Sequence, residues 1–191
     1  MACMEPFAQI TGTAKLYIAP KGEAPPAVNA GAPGGNWIYL GETEGDQTIA
    51  YSGALTLFRV NERSGPVKAV RPEEDVVVSA TLVELTLENF GYVLSRVSNV
   101  TTSGSPDAKR LANKRGFCPA EYALLMWGEA DSPEGLYPGY NYLPRVVSDA
   151  EPTVTRARDG RAALEAMFRA LEDYDQAAGD ELGWAAVQIG A

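Results

Sequence analysis

The side chains that most often perform enzyme chemistry are scarce in this chain. Its 191 residues include no histidine and two cysteines, Cys3 and Cys118. A Ser-His-Asp triad, a Cys-His pair and a histidine-based zinc site are therefore excluded, and two distant cysteines cannot form a zinc cluster. The sequence also lacks a GxxxxGK[ST] phosphate-binding loop. We predict that the protein is not an enzyme and that it binds no cofactor or metal.

Two groups of carboxylates are the remaining candidates for chemistry. They are Glu73-Glu74-Asp75 and Asp173-Tyr174-Asp175, and oxygen ligands of this kind suit hard cations. Neither group has EF-hand spacing, and neighbouring acids on a strand point to opposite faces. We therefore expect these acids to be solvated. A hydrolase that uses only carboxylates is a third hypothesis, which requires two acids converging in one pocket.

The bulk composition indicates one globular domain, residues 1–191. Apolar residues make up 46% of the chain, charged residues 21%, and the net charge is −9. Such an acidic protein is poorly suited to binding DNA through phosphates, so its acidity either keeps it soluble or repels DNA. The first residues include neither a basic region nor an apolar segment. We therefore expect no signal peptide, a reducing compartment and no disulfide.

Residues Glu73–Val97 are predicted to form the centre of the fold, a strand that runs directly into a helix. Alternation places four side chains on one face of the strand, Val76, Val78, Ala80 and Leu82. The helix is expected over about residues 86–98, with Thr86 as its N-cap and Glu88 in the first turn. Its apolar stripe would be Leu87, Phe90, Leu94 and Val97, with Asn89 and Ser95 mostly on the other side.

A long hairpin is predicted over about residues 47–84, with a polar turn at Asn61–Gly65. Charged side chains of both signs lie near its tip: Arg59, Glu62, Arg63, Lys68, Arg71, Glu73 and Glu74. They indicate either a solvated hairpin end or an arm that pairs its charges with a neighbouring subunit. A hairpin that reaches beyond its own core has unpaired edges, and pairing with another chain is one way to cover them.

The other segments are those of a β-rich chain. Further strands are predicted at Gln9–Ala19, Trp37–Leu40, Cys118–Trp127, Leu136–Val147, Glu151–Arg158 and Gly183–Ile189. The prolines of Leu136–Val147 favour an edge strand. Residues 21–36, rich in Pro and Gly, are expected to form a flexible loop that buries no core, and the basic residues 101–116 a surface loop. Residues 161–174 fit a helix or a strand by periodicity, and their local propensity favours the helix.

Several stretches carry a family likeness. They are TGTAKLYIAPKG, NWIYLGETEGD and RSGPVKAVRPEEDVVVSATLVELTLENFGYVLS, followed by YLPRVVSDAEPTV and EAMFRALEDYD. Together they resemble the major tail (tail tube) proteins of tailed bacteriophages, in the same order and over most of the chain. The turn W-x-x-LG-x-T-x-G and the strand-to-helix segment ATLVELTLENF carry most of this resemblance.

The resemblance implies a mainly β (α+β) fold, a tail-tube-type β-sandwich or barrel with one packed helix and a long protruding hairpin. It implies hexameric rings that stack into the tube of a virion tail, which conducts DNA during ejection without binding it specifically. The implied partners are further copies of the chain, a tape measure protein, a tail terminator and baseplate or tip proteins. Assembly would occur in the host bacterial cytoplasm, with no membrane involved.

Two more expectations follow from the resemblance. The late segment of that family is a strand, so residues 161–174 are predicted as a strand against their local propensity. A tube that conducts DNA should not bind it, so the face that lines the channel should be net acidic.

The alternative function comes from a different class, a small β-rich binding or adhesion domain. Four aromatic residues would line its ligand surface, Trp37, Tyr137, Tyr140 and Tyr142. Aromatic clusters more often belong to cores or interfaces, so this alternative ranks second.

Overall fold

The protein is mainly β. The structure, a computed structural model, describes residues 9–104, 107–113, 115–116, 118–132, 135–152 and 163–188. Within these ranges a short 3₁₀ turn at Val97–Asn99 follows the one α-helix, α1. The elements in chain order are β1 Gln9–Pro20, β2 Ile38–Tyr39, β3 Thr43–Arg59, β4 Pro66–Leu82, α1 Leu87–Val93, β5 Val100–Ser103, β6 Ala108–Leu111, β7 Tyr122–Ser132, β8 Gly135–Ser148, β9 Leu164–Ala170 and β10 Trp184–Val187.

Eight of the strands form one antiparallel sheet. Its order is β2-β1-β7-β8-β9-β4-β3, and β10 pairs with β8 beside this path. The sheet curls so that β3, at one end, approaches β1 near the other end, and the side-chain amide of Gln47 on β3 binds the backbone of Ala14 on β1. The result is a barrel. A side-chain contact closes it, in place of backbone hydrogen bonds between paired strands. β5 and β6 form a separate two-stranded sheet.

The main core lies inside the curled sheet. The predicted inward face of β4 is confirmed, since Val76, Val78, Ala80 and Leu82 are all buried. They pack with side chains from four other strands and the helix: Leu16, Tyr122, Leu124, Met126, Leu143, Val146, Leu164, Phe168 and Val93. Burial of this many large apolar side chains, each contributing roughly 1.5–3 kcal/mol, makes the inside of the barrel the principal source of stability.

A second core lies on the opposite face of β1, β7 and β8. It contains Trp37, Leu125, Trp127, Tyr140 and Tyr142, and Trp184 of β10 packs against it. Residues 21–36 cover it, contrary to the expectation that this loop buries no core: Val28 and Ala30 pack against this cluster. The loop is held by two backbone carbonyls, of Glu23 and Ala24, which accept hydrogen bonds from Tyr142 and Trp37.

The helix is shorter than predicted and buries a partly different face. Thr86 is its N-cap, as expected, with Oγ1 accepting from the backbone N–H of Asn89 at 3.0 Å. However, α1 ends at Val93, and its buried residues are Asn89, Gly91 and Val93. The predicted stripe is confirmed only in part. Phe90 and Val97 pack against the main core, but Leu87 is exposed, and Asn89 and Ser95, expected outside, are buried. Asn89 is buried because Nδ2 donates to the carbonyls of Leu40 and Glu84, at 2.9 and 3.1 Å.

The prediction of an edge strand at Leu136–Val147 is wrong. β8 is central, with β7 on one side and both β9 and β10 on the other. Its prolines are tolerated because Pro144 lies where the register with β7 shifts, between the Leu124–Leu143 and Tyr122–Val146 pairs. The carbonyl of Pro138 still accepts a bond from the backbone of Gln188, at 3.1 Å.

Three further segments can be compared with their predictions. Residues 161–174 include the strand β9, as predicted against local propensity, and residues 161 and 162 lie outside the described ranges. The basic residues 101–116 hold most of the β5–β6 hairpin rather than a plain loop, and β7 begins at Tyr122, not at Cys118. Of the strand predicted at 151–158, residues 151 and 152 are irregular and the rest lies outside the described ranges.

Candidate assembly surface

The most prominent surface feature is a hairpin that leaves the barrel. β3 and β4 pair from Thr43–Leu82 to Arg59–Pro66, which agrees with the long hairpin predicted from the sequence. β9 supports β4 only at Val77–Leu82. Beyond that point all of residues 51–75 are exposed, and we call this segment the arm. At about 3.3 Å per residue, the arm extends roughly 26 Å past the barrel.

The two strands of the arm approach each other closely at its base. A Cβ atom added to Gly53 would lie 2.8 Å from the carbonyl oxygen of Glu73, so only glycine fits there without movement of the backbone. Just beyond, Arg71 and Pro72 oppose Leu55 in a bulge on β4, at the shift between the Ala54–Glu73 and Thr56–Val70 pairs. The base of the arm is thus set by local backbone geometry.

One face of the arm continues the apolar face of the barrel interior. Along β3, Ile49 packs against the main core, and alternation places Tyr51, Leu55 and Leu57 on the same side. These three side chains are 71%, 55% and 45% exposed. The pattern that fills a core therefore extends beyond the core into solvent.

The other face of the arm also carries apolar side chains. Phe58 and Val70 lie on it, in cross-strand pairs with Lys68 and Thr56, and they are 51% and 38% exposed. Hairpins that pack on one core have one polar face and one apolar face. Apolar groups on both faces of an exposed hairpin indicate a surface that another molecule covers.

The charged residues predicted for an assembly site all lie on the arm. They are Arg59, Glu62, Arg63, Lys68, Arg71, Glu73 and Glu74, and every one is exposed. Within the described part of the chain none of the seven side chains makes an ion pair or a side-chain hydrogen bond. The structure therefore brings them to one protrusion without pairing them to one another, and their charges are available to a partner.

The next acid along β4 anchors the arm to the barrel. Asp75 lies 3.2 Å from the guanidinium of Arg169 on β9, and Arg169 also binds Asp149 at 2.8 Å. The hydrogen bonds to Asp149 and Asp75, the former more strongly, raise the pKa of Arg169 above its ordinary value. This ion-pair group marks the base of the arm, next to its unpaired charged residues Glu73 and Glu74.

An open cleft lies on the outer face of β3, β4 and β9. Its acids are Asp46, Glu151 and Glu165, and its other lining residues include Ser79 and Met167. Met167 is 39% exposed. In contrast to the outer face of β1, β7 and β8, no described loop covers this face, and its cleft is acidic.

The other candidate sites from the sequence do not come together. In the ranges that the structure describes, no three potential metal ligands of the His, Cys, Asp or Glu type form a group. Of the four aromatic residues proposed to line a ligand surface, Trp37, Tyr140 and Tyr142 are buried in the second core. The side chain of Tyr137 lies outside the described part of the structure. These buried rings do not present a ligand-binding surface.

Sequence reasoning found the charges of the arm but missed its apolar residues. Tyr51 and Val70 were not singled out, although they belong to the same exposed segment. One signal in the sequence could have identified them. The partner strand β4 changes from valines to the polar segment Pro72, Glu73 and Glu74, but the apolar residues of β3 continue beyond that point.

Comparison with known proteins adds no family assignment. Neither protein-family models nor curated protein sequences give a match to this chain. Among the described residues, no helix has the length and apolar character needed to cross a membrane, and α1 has seven residues.

Proposed function

We propose that this protein is a structural subunit that assembles with copies of itself into stacked rings, forming the tube of a bacteriophage tail. The observation that carries the proposal is the arm, residues 51–75, which exposes apolar side chains on both faces and unpaired charges. The sequence resemblance to tail tube proteins supports the same function.

The physical argument begins with the exposed apolar side chains of the arm. Each large side chain that moves from water into an interface contributes roughly 1.5–3 kcal/mol, before the cost of association is counted. A single copy cannot bury Leu55, Leu57 or Phe58, because the arm extends beyond its own barrel. Docking on another copy removes this surface from water.

Such a contact also determines the kind of assembly. The arm of one copy would bind a different surface of the next copy, which is a heterologous contact. Heterologous contacts generate rings where the rotation closes and filaments where it does not. Rings that stack through their arms therefore give a tube of indefinite length.

The uncovered acidic face is our candidate for the lining of the channel. Asp46, Glu151 and Glu165 lie on it, and carboxylates repel DNA phosphates at short range. The function is passage of DNA rather than binding. A tape measure protein, a tail terminator and baseplate or tip proteins would be the further partners that the resemblance implies, and the virion tail the location.

The decisive experiment removes the tip of the arm. Deletion of Asn61–Gly65 should leave the fold intact and stop polymerisation, which negative-stain electron microscopy and sedimentation measure on purified protein. The double substitution Ala32→Ser and Gly34→Ser, at two exposed positions outside the arm, is the control and should polymerise normally. Circular dichroism verifies the fold of both variants.

Two results would count against the proposal. Wild-type protein that stays monomeric at high concentration would contradict self-assembly, and so favour the binding or adhesion domain. Tubes of normal length from the tip deletion would contradict the role of the arm. The double substitution Leu57→Ser and Phe58→Ser, which changes no charge, tests the apolar contribution separately and should also prevent polymerisation.

A further inference from the structure

The distal part of the arm differs in charge from the rest of the protein. Residues 57–71 carry four basic side chains, Arg59, Arg63, Lys68 and Arg71, and one acid, Glu62, in a chain whose net charge is −9. The exposed apolar residues Leu57 and Phe58 lie in the same segment. The tip is therefore basic and apolar, while the remainder of the molecule is strongly acidic.

The opposite end of the same two strands has the complementary character. β3 begins and β4 ends at the Thr43–Leu82 pair, so the residues that flank this pair lie at the end farthest from the turn. Three exposed acids occur there, Glu42, Glu44 and Glu84, next to two partly exposed leucines, Leu85 and Leu87, each 37% exposed. We call these five residues the acidic end.

We propose that the distal arm of one copy docks on the acidic end of the next copy in the stack. This inference rests on the proposed self-assembly and specifies the surface that receives the arm. Arg63 and Lys68 would face Glu42 and Glu84, while the apolar residues of the tip cover Leu85 and Leu87.

The geometry of the hairpin favours this arrangement over one within a ring. The tip lies at one end of this pair of strands, and the acidic end flanks the other. The arm extends roughly 26 Å, whereas the part of β4 inside the barrel, Val76–Leu82, spans roughly 20 Å. Copies related by translation along the axis of these strands therefore bring a basic tip to an acidic end at every step.

Charge complementarity also explains why the contact is directional. Two tips repel each other, and so do two acidic ends, which suppresses head-to-head association. The steering is electrostatic, so assembly should weaken as salt rises from about 0.1 M to about 1 M, where the Debye length falls from about 10 Å to about 3 Å.

A charge-exchange experiment tests the inference. The tip variant carries Arg63→Glu and Lys68→Glu, and the end variant carries Glu42→Lys and Glu84→Lys. Each variant alone brings like charges together and should lose sedimentable polymer. An equal mixture of the two should polymerise. The acidic tip of the tip variant fits the basic end of the end variant, and the basic tip of the end variant fits the acidic end of the tip variant.

The controls separate this inference from the proposed function. Asp107→Lys with Asp175→Lys makes the same charge change as the end variant at two exposed positions outside both surfaces, and it should polymerise normally. An end variant that polymerises alone, or a mixture of folded variants that stays unassembled, overturns the docking surface while the wild-type tubes still support self-assembly. Wild-type protein that forms no polymer overturns both.

Discussion

The side-chain amide of Gln47 binds the backbone of Ala14 in the manner of a neighbouring strand. Nε2 donates to the Ala14 carbonyl at 2.6 Å, and Oε1 accepts from the Ala14 N–H at 3.1 Å. Nε2 also lies 2.6 Å from the hydroxyl of Thr43. One residue on β3 thus joins this end of the sheet to β1, near the other end, and it does so just before the strand continues towards the arm.

Substitution of Gln47 should therefore open the barrel at this seam. Gln47→Met keeps the length of the side chain but leaves the partly buried N–H and C=O of Ala14 without partners, so we expect the free energy of unfolding to fall by about 2 kcal/mol. Urea denaturation followed by circular dichroism measures it. Asn29→Ala, at an exposed position, is the control and should change it by less than about 0.5 kcal/mol. A Gln47→Met protein of wild-type stability would contradict the importance of this closure.

Asn89 provides a second test, because it ties the helix to the segment between β2 and β3 and to the residues that follow β4. Its Nδ2 donates to the carbonyls of Leu40 and Glu84, and the residue is 6% exposed. Asn89→Ala leaves the buried carbonyl of Leu40 and the partly buried carbonyl of Glu84 weakly satisfied. It should lower the free energy of unfolding by about 2 kcal/mol, measured by thermal or urea unfolding. Asn36→Ala removes an exposed side-chain hydrogen bond to Glu23 and serves as the control, with an expected loss below about 0.5 kcal/mol. Equal losses from the two variants would show that burial of Asn89 is unimportant.

A third prediction concerns acid stability and the pair Glu121–Arg145. The guanidinium of Arg145 makes two hydrogen bonds to the carboxylate, at 2.9 and 2.6 Å, and lowers the Glu121 pKa below its ordinary value. A pKa lowered in the folded state stabilises the protein above the unfolded pKa, near 4.3, and that contribution disappears as the pH falls through the folded pKa. Stability should therefore decline below about pH 4.5.

The variant Glu121→Gln isolates this effect. It should be less stable than the wild type at pH 7 and should lose less of its free energy of unfolding between pH 7 and pH 3. Glu62→Gln, on the arm, removes an acid that has no ion pair in the described part of the chain, so it should keep the wild-type pH dependence. Parallel pH profiles for wild type and Glu121→Gln would contradict this assignment.

The strands could be predicted where burial follows a period of two. Val76, Val78, Ala80 and Leu82 alternate with more exposed residues, and they face the main core as expected. The strand over Leu164–Ala170 was predicted only through the family resemblance, since its alanine and leucine content favours a helix. Its pairing with β4 and β8 overrides that local preference.

The features that could not be predicted depend on distant partners. Nothing near Asn89 in the sequence indicates that the carbonyl of Leu40, 49 residues away, will accept its hydrogen bond and draw it into the core. Pro144 favoured an edge strand because proline lacks an N–H, but a register shift opposite β7 removes the need for one. The loop over the second core was likewise missed, because its anchors are the side chains of Trp37 and Tyr142.

The attachment of the arm to the barrel has a mechanical consequence. A pull along the arm acts parallel to β4, which pairs with β9 at six successive positions from Val77 to Leu82. Force in that direction loads all of these hydrogen bonds in shear at the same time, whereas a sideways force would peel them apart one by one. The subunit is therefore built to withstand tension along one axis, the axis on which the arm extends.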